Sequence, residues 1–510
     1  MKPRGTPRGP AAGRLPARGL TSVIVAVVLG LSAFGVPGGR ADASPALSIA
    51  ISGNHFVNGA GQTVRLLGVN VPSTEYACEE GWGYSAQPLT AATAVAIAAW
   101  HANAVRVPLN EDCWLGLNGQ PAYGTQAGYQ EAIESWVSTL NAAGLYVILD
   151  LHWSAPGTLI ADGQRPMPDD HSAAFWTSVA GAFKDDPAVV FDAFNEPYSP
   201  AANGNSALQV SWTCWLDGGC PVPVANQDGP INDDDTYVAV GMQALVTSIR
   251  ATGARQPILL GGLSYANDLS GWLANEPTDP DDQLAASFHN YYGESCDTTS
   301  CWSGIVASVA GQVPVVTGEF DQGYDCADPP TGPSSLTTFD PTFMNWADLN
   351  GVSYLAWGWW VLGDTSTDCS ALADGADNYA LVSDYSGAAV SPDGLDLQLH
   401  LATLDAGTPL QVSTTSLPPG QVGSTYSTEL AAIGGNPPYK WSLLSGSLPK
   451  GLHLNRAGGR IHGRPRAGDG GTSVFAVRVV DTKIKENGHP PTQDSATATL
   501  GITISPRASG

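Results

Sequence analysis

Basic residues are scarce in this chain. Only 22 Lys and Arg stand against 47 Asp and Glu in 510 residues, a formal net charge of −25. So acidic a chain repels nucleic acid, anionic lipid and pectin-like polyanions, which leaves a neutral partner as the expectation. Paired CxxC motifs and HExxH are missing, and with them the common zinc arrangements; no metal ligand set is assigned. No Gly-rich phosphate fingerprint follows any strand candidate, which argues against a doubly wound nucleotide-binding sheet. Long apolar runs are lacking too, apart from one between Leu20 and Val36.

That run follows a basic stretch (Lys2, Arg4, Arg8, Arg14 and Arg18) and precedes Ala41-Asp42-Ala43. The three-part pattern is that of a secretory signal peptide. Residues 1–43 are therefore read as a leader cleaved after Ala43, giving a secreted, extracellular protein with no membrane contact after cleavage. An uncleaved anchor is the alternative reading of the same run.

Charge and cysteine divide the remainder. Residues 44–407 carry 6 basic against 41 acidic side chains and all eight cysteines, whereas residues 408–510 carry 10 against 5. An even cysteine count in an exported chain reads as disulfides. Sequential pairing is expected: 78–113, 214–220, 296–301 and 326–369.

From Thr63 onward, short β-branched runs alternate with amphipathic stretches. Strand candidates are 63–70, 104–109, 146–151, 189–194, 258–261, 284–289, 313–319 and 352–357. Helical patterns lie at 89–101, 128–143, 172–184, 236–252, 341–350 and 393–403. Eight strands with helices between them predict an α/β fold, a (β/α)8 TIM barrel over residues 44–405, with residues 47–58 as a hairpin beneath it. After Ala406 the texture changes to Thr, Ser, Gly and Val with period-two runs such as Val474–Val480, separated by Pro- and Gly-rich turns. Residues 406–510 are therefore expected to form an all-β Ig-like sandwich.

In such a barrel, chemistry sits at the C-terminal ends of the strands. The residues there are Asn70, Arg106, His152, Asn195, Glu196, His289, Tyr291, Glu319 and Trp357. Glu196 ends the fourth strand candidate and Glu319 the seventh, so they face one another across the mouth. Two facing carboxyl groups are what glycoside hydrolysis needs, one to protonate the leaving oxygen and one to attack or to activate water. Trp153 and Trp302 are further subsite candidates, while Trp82, Trp114 and Trp176 stay unassigned and Trp359 and Trp360 are expected to pack. Asp150 and Asp192 read as a structural ion pair or as supports of the site. Asn232-Asp233-Asp234-Asp235 lacks EF-hand spacing and reads as a helix cap rather than a calcium site.

Asn195-Glu196-Pro197, the later Gly318-Glu319-Phe320 and the strand-end set around them resemble glycoside hydrolase family 5, the cellulase family, over roughly residues 47–405. The stretch from Leu417 to Pro465 resembles Ig-like modules of bacterial secreted proteins, a resemblance that covers nearly all of residues 410–505. The first resemblance implies a retaining β-glycosidase without a cofactor, with Glu196 as acid/base and Glu319 as nucleophile. Arg106 and Tyr291 are expected to hold Glu319, and Asn195 to grip the sugar 2-hydroxyl. His152 and His289 would complete the shell, and Trp357 would floor the site. The Glu196 pKa is expected to be raised by the Glu319 charge and by partial burial.

The expected partner is a neutral β-linked polysaccharide or oligosaccharide, and the protein is expected to act as a monomer. A β-1,4-glucan leads, with β-mannan, another β-glucan or a β-diglycoside as alternatives, and a non-catalytic glycan-binding protein as the alternative of another class. For the C-terminal module a spacer role is favoured over polysaccharide binding, because its aromatics are few: Tyr426, Tyr439, Trp441 and Phe475.

Overall fold

The structure is a computed structural model. It describes residues 47–199, 209–226, 235–325, 339–361, 377–390, 393–405, 410–412, 414, 417–430, 432–433, 439–466, 470–480 and 495–506. The leader, the Cys326–Cys369 pair and Asn232–Asp234 lie outside the described residues.

Eight parallel strands close into a barrel. They are β1 (Leu67–Asn70), β2 (Ala104–Asn110), β3 (Tyr146–Trp153), β4 (Val189–Asp192), β5 (Ile258–Gly261), β6 (Leu284–Tyr291), β7 (Val315–Asp321) and β8 (Ser353–Ala356). The order around the barrel is sequential, β8 pairs with β1, and β4 pairs with β5.

Side-chain alternation along each strand divides the core in two. Val105, Val107, Leu109, Val147, Leu149 and Leu151 pack in a large cluster with helix residues such as Ile133, Trp136 and Phe175. The alternate residues Ala104, Tyr146, Ile148, Val190, Leu259, Ala285, Val316 and Leu355 form a separate cluster with Ile49 and Phe56. Those two come from the expected hairpin, Ile49–Ser52 paired with His55–Asn58, which plugs the barrel floor. Continued upward, the inward register of β2 and β3 leads from Ala104 to Arg106 and from Ile148 to Asp150 and His152. An apolar floor thus carries a polar upper layer.

Local chemistry sets the helix starts. Thr90 and Thr125 cap the helices Ala91–Ala98 and Gln126–Ala142 by accepting from the backbone N–H groups of Thr93 and Gly128. Three sequence expectations change. The helix expected over 236–252 is a strand, Thr236–Val240, followed by the helix Met242–Ala251. Tyr237, Val238 and Val240 favour a pleated ribbon and pair with Gly218–Pro223, while extended Gly241 resets the chain. The strand expected over 63–70 breaks into Thr63–Val64, which joins the floor hairpin, and β1. After β5, only the short 3-10 turn Leu273–Asn275 stands among the described residues in place of a full helix.

Disulfides join Cys78 to Cys113, Cys214 to Cys220 and Cys296 to Cys301. The C-terminal module has a four-stranded sheet (Gly420–Gln421, Ser495–Ser505, Gly471–Val480, Lys440–Gly446) and a three-stranded one (Tyr426–Glu429, Arg460–Gly463, Leu452–Leu454). Tyr426, Tyr439, Trp441 and Phe475 are all buried in its core. None of these four aromatics is exposed for a sugar to stack on.

Candidate active site

Arg106 is the hub of the barrel mouth. Its side chain is fully buried, and its guanidinium donates from Nε to Asp192 (3.0 Å) and from Nη2 to Asn195 Oδ1 (2.7 Å). Nη1 donates to Glu319 Oε1 at 2.7 Å and to Asn70 Oδ1 at 3.2 Å. Asp150 lies 3.0 Å from Nη2. Burial by itself would lower the pKa of this guanidinium, but Asp150, Asp192 and Glu319 outweigh it and raise it further. A permanent cation is thus fixed beneath the cleft, and Asp150 and Asp192 are its counter-ions.

Both Glu319 oxygens are engaged. Oε1 takes the Arg106 bond, and Oε2 accepts from the Tyr291 hydroxyl at 2.7 Å. Two donors of this kind fix the direction of the carboxylate.

Glu196 has different neighbours. His289 Nδ1 lies 2.7 Å from Oε1, and the Gln164 amide donates to Oε2 at 3.2 Å. Its pKa is raised, and burial is the leading cause; His152, Arg106 and the Gln164 bond act in the lowering direction. The expected contribution from the Glu319 charge is not among the leading causes. Burial also pushes His152 and His289 down to about 4, so both rings are neutral at ordinary pH.

One oxygen of Glu196, one of Glu319 and a ring nitrogen of His289 lie within 4.8 Å of one another. A separation of about 5 Å belongs to the retaining arrangement, while inverting pairs stand about 6.5–9.5 Å apart to admit water. These three groups also have the spacing of a metal site, but Arg106 and Tyr291 already occupy both Glu319 oxygens, and the guanidinium supplies the positive charge.

Asn195 Oδ1 is held by Arg106, and its amide donates to Gln164 Oε1 at 2.6 Å. An amide has two N–H donors, so one remains for a ligand. Half-buried Trp357 lies parallel to His152, with ring centroids 5.5 Å apart, and His152 Nδ1 is 2.6 Å from Asp150.

Two subsite candidates move. Asn70 is fully buried; beyond its bond from Arg106 it donates to the carbonyl of Gly318 at 2.8 Å, so it braces the site instead of facing sugar. Trp302 is 1% exposed and packs among Phe339, Phe343 and Trp346, with its indole N–H donated to the carbonyl of Cys296. It opens a helical turn that faces inward, so it is a core residue. Trp114, Trp176 and Trp359 are core as well. Trp153 is half-buried at the end of β3, next to Tyr76, which in turn contacts the exposed Trp82.

Sequence reasoning missed five residues. Gln164 bridges Asn195 and Glu196 from the long segment after β3, where no strand end marks it. Tyr265, Tyr292, Glu294 and Tyr379 line an open cleft of about 440 Å³ together with Glu196, Tyr291 and Trp357. Tyr265 stacks on Tyr198 at 4.6 Å and sits in a left-handed turn of three non-glycine residues, Ser264, Tyr265 and Ala266, with φ of 56°, 60° and 58°. Such a run is uncommon for L residues, and sequence carries no clear signal for it.

A family model described as Cellulase (glycosyl hydrolase family 5) matches residues 57–363, and the He_PIG model of an Ig domain matches residues 408–505. No curated relative matches the chain. Among solved structures, the chain is similar to a β-glucanase from Saccharophagus degradans at 18% identity, covering 72% of this chain and 97% of that one with a TM-score of 0.48. It is also similar to a variant of an endo-β-1,4-glucanase from Xanthomonas axonopodis pv. citri (20% identity, 66% and 99% covered, TM-score 0.45). A mannanase catalytic domain from Streptomyces sp. SirexAA-E matches at 20% identity, with 69% and 91% covered and a TM-score of 0.43.

Proposed function

Because the chain belongs to glycosyl hydrolase family 5, the cellulase family of retaining glycosidases, we propose that it is a secreted endo-β-1,4-glucanase with Glu319 as nucleophile and Glu196 as acid/base. The observation that carries this reading is the close carboxylate pair with unequal surroundings. Glu319 is aimed by two donors, one on each oxygen, and Glu196 is held by burial toward its neutral form.

In the first step, ionised Glu319 attacks the anomeric carbon while Glu196 gives its proton to the leaving oxygen. The products are a glycosyl ester on Glu319 and a free chain end. Glu196, now a carboxylate, then takes a proton from water, whose oxygen displaces Glu319 and restores the starting configuration. Neutral His289 at 2.7 Å provides a partner for Glu196 in both states. The free N–H of Asn195 serves the sugar 2-hydroxyl, and Trp357 offers an apolar face to the ring in the −1 subsite.

Endo action is supported by the openness of the cleft and by aromatics on opposite sides of the mouth: Tyr76, Trp82 and Trp153 beyond β1 and β3, and Tyr265 and Tyr292 beyond β5 and β6. The neutral glucan fits the acidic barrel, which repels polyanions. Export is supported by the basic and apolar leader and by three disulfides. The C-terminal module acts as a spacer, a role supported by the burial of Tyr426, Tyr439, Trp441 and Phe475.

A panel of hydroxyethyl cellulose, a neutral soluble cellulose, with mixed-linkage β-glucan, β-mannan and aryl β-glycosides tests the assignment. A steep fall in viscosity per reducing end released from the cellulosic substrate is the expected result. Hydrolysis of mannan with none of cellulose would move the substrate, and no hydrolysis of any β-glycan would sink the reading.

A further inference from the structure

Three aspartates with no part in the chemistry above meet just beyond Glu319. Asp321 ends β7, Asp340 lies in the first turn of the helix Phe339–Asn350, and Asp393 opens the helix Asp393–Asp405. A carboxylate oxygen from each lies within 4.8 Å of the other two. The three residues are 1%, 3% and 1% exposed.

Their outer oxygens are partly spent. Asp321 Oδ1 accepts from the Gly323 N–H at 2.6 Å, and Asp393 Oδ1 accepts from the Gln322 amide at 2.8 Å. Asp321 Oδ2, Asp340 Oδ1 and Asp393 Oδ2 are buried without a hydrogen-bond partner. Among the described residues no Lys or Arg is paired with any of the three. Buried carboxylates need a counter-charge, a donor or a proton. Here one oxygen on each side chain lacks a donor, and the three side chains come from three separate segments.

We propose that Asp321, Asp340 and Asp393 form a binding site for calcium, a hard divalent cation that ties the end of β7 to the two following helices. The donor set is all oxygen with no His or Cys, which suits calcium and not zinc. Magnesium demands stricter geometry and retains several waters, which a cluster this buried favours less. Donors on the outer oxygens orient the carboxylates, as supporting groups do around metal ligands. Asp321 stands two residues after Glu319, so a bound cation would stiffen the strand that aims the nucleophile. The competing account is a set of carboxylic acids sharing protons, toward which burial and mutual repulsion also push the cluster.

The full secreted protein is stripped with chelator, desalted, and melted at pH 7.5 and constant ionic strength with CaCl2, MgCl2 or neither. Calcium content is measured on the untreated protein and after equilibrium dialysis. The proposal expects about one calcium per chain and a rise in Tm of roughly 5 °C or more at millimolar CaCl2. The rise should be lost in Asp340→Asn and in Asp393→Asn. Should either variant fail to fold, the calcium content of the wild type still decides. Three results would overturn the site: calcium content near zero with an unchanged Tm, a calcium response that persists in both variants, or a response to magnesium alone. Asparagine variants that gain stability in a protein indifferent to calcium would establish the shared-proton account.

Discussion

Replacing Tyr291 with Phe removes one oxygen and leaves the ring in place against Tyr379. That oxygen is the 2.7 Å donor to Glu319 Oε2, while Arg106 continues to hold Oε1. A buried hydrogen bond to a charged group contributes about 1.5–3 kcal/mol. At about 1.4 kcal/mol per factor of ten, kcat/KM should fall roughly 10- to 150-fold. Thermal stability should change little, because the packed ring survives. Initial rates on a soluble glucan, with a melt of each protein, measure both effects. A variant within twofold of wild type at an unchanged melting temperature would refute the role given to Tyr291.

Three further outcomes follow from the geometry. Gln164→Ala deletes a bond that lowers the Glu196 pKa, so that pKa rises; since Glu196 acts first as an acid, the alkaline limb of kcat/KM should shift to higher pH, as a pH titration of initial rates would show. Trp302→Phe in the core should cost about 1–3 kcal/mol in denaturant melts while KM for oligosaccharides stays unchanged, whereas a subsite tryptophan would raise KM. Opening the 35-residue Cys78–Cys113 link with a double Ser variant should cost about 3–4 kcal/mol, seen as a lower melting temperature.

Much of the fold was legible because a parallel barrel writes itself as short β-branched runs at regular intervals, and all eight strands fall on such runs. The strand-end set was legible for a related reason. Arg106, His152 and Glu319 interrupt apolar strands where a core residue would have served. What stayed hidden depends on tertiary partners. Asn70 cannot be seen as a brace of Arg106 until the barrel closes, and Gln164 lies in a long segment whose path sequence does not fix. Trp302 looked like a cleft residue because it follows β6, but one turn of helix sends its indole into the core. The strand Thr236–Val240 was hidden in an amphipathic helical pattern, since its partner Gly218–Pro223 lies across an insertion that periodicity does not reveal.

The central claim is that Glu319 carries the sugar during turnover. A 2-deoxy-2-fluoro analogue of the preferred β-glycoside, with an activated leaving group, slows release of the intermediate enough for peptide mass mapping. A single adduct on Glu319, absent from Glu319→Ala, is the predicted result. An adduct on Glu196 or on the neighbouring cleft carboxylate Glu294, or steady turnover that leaves no adduct and releases the inverted anomer, would contradict it.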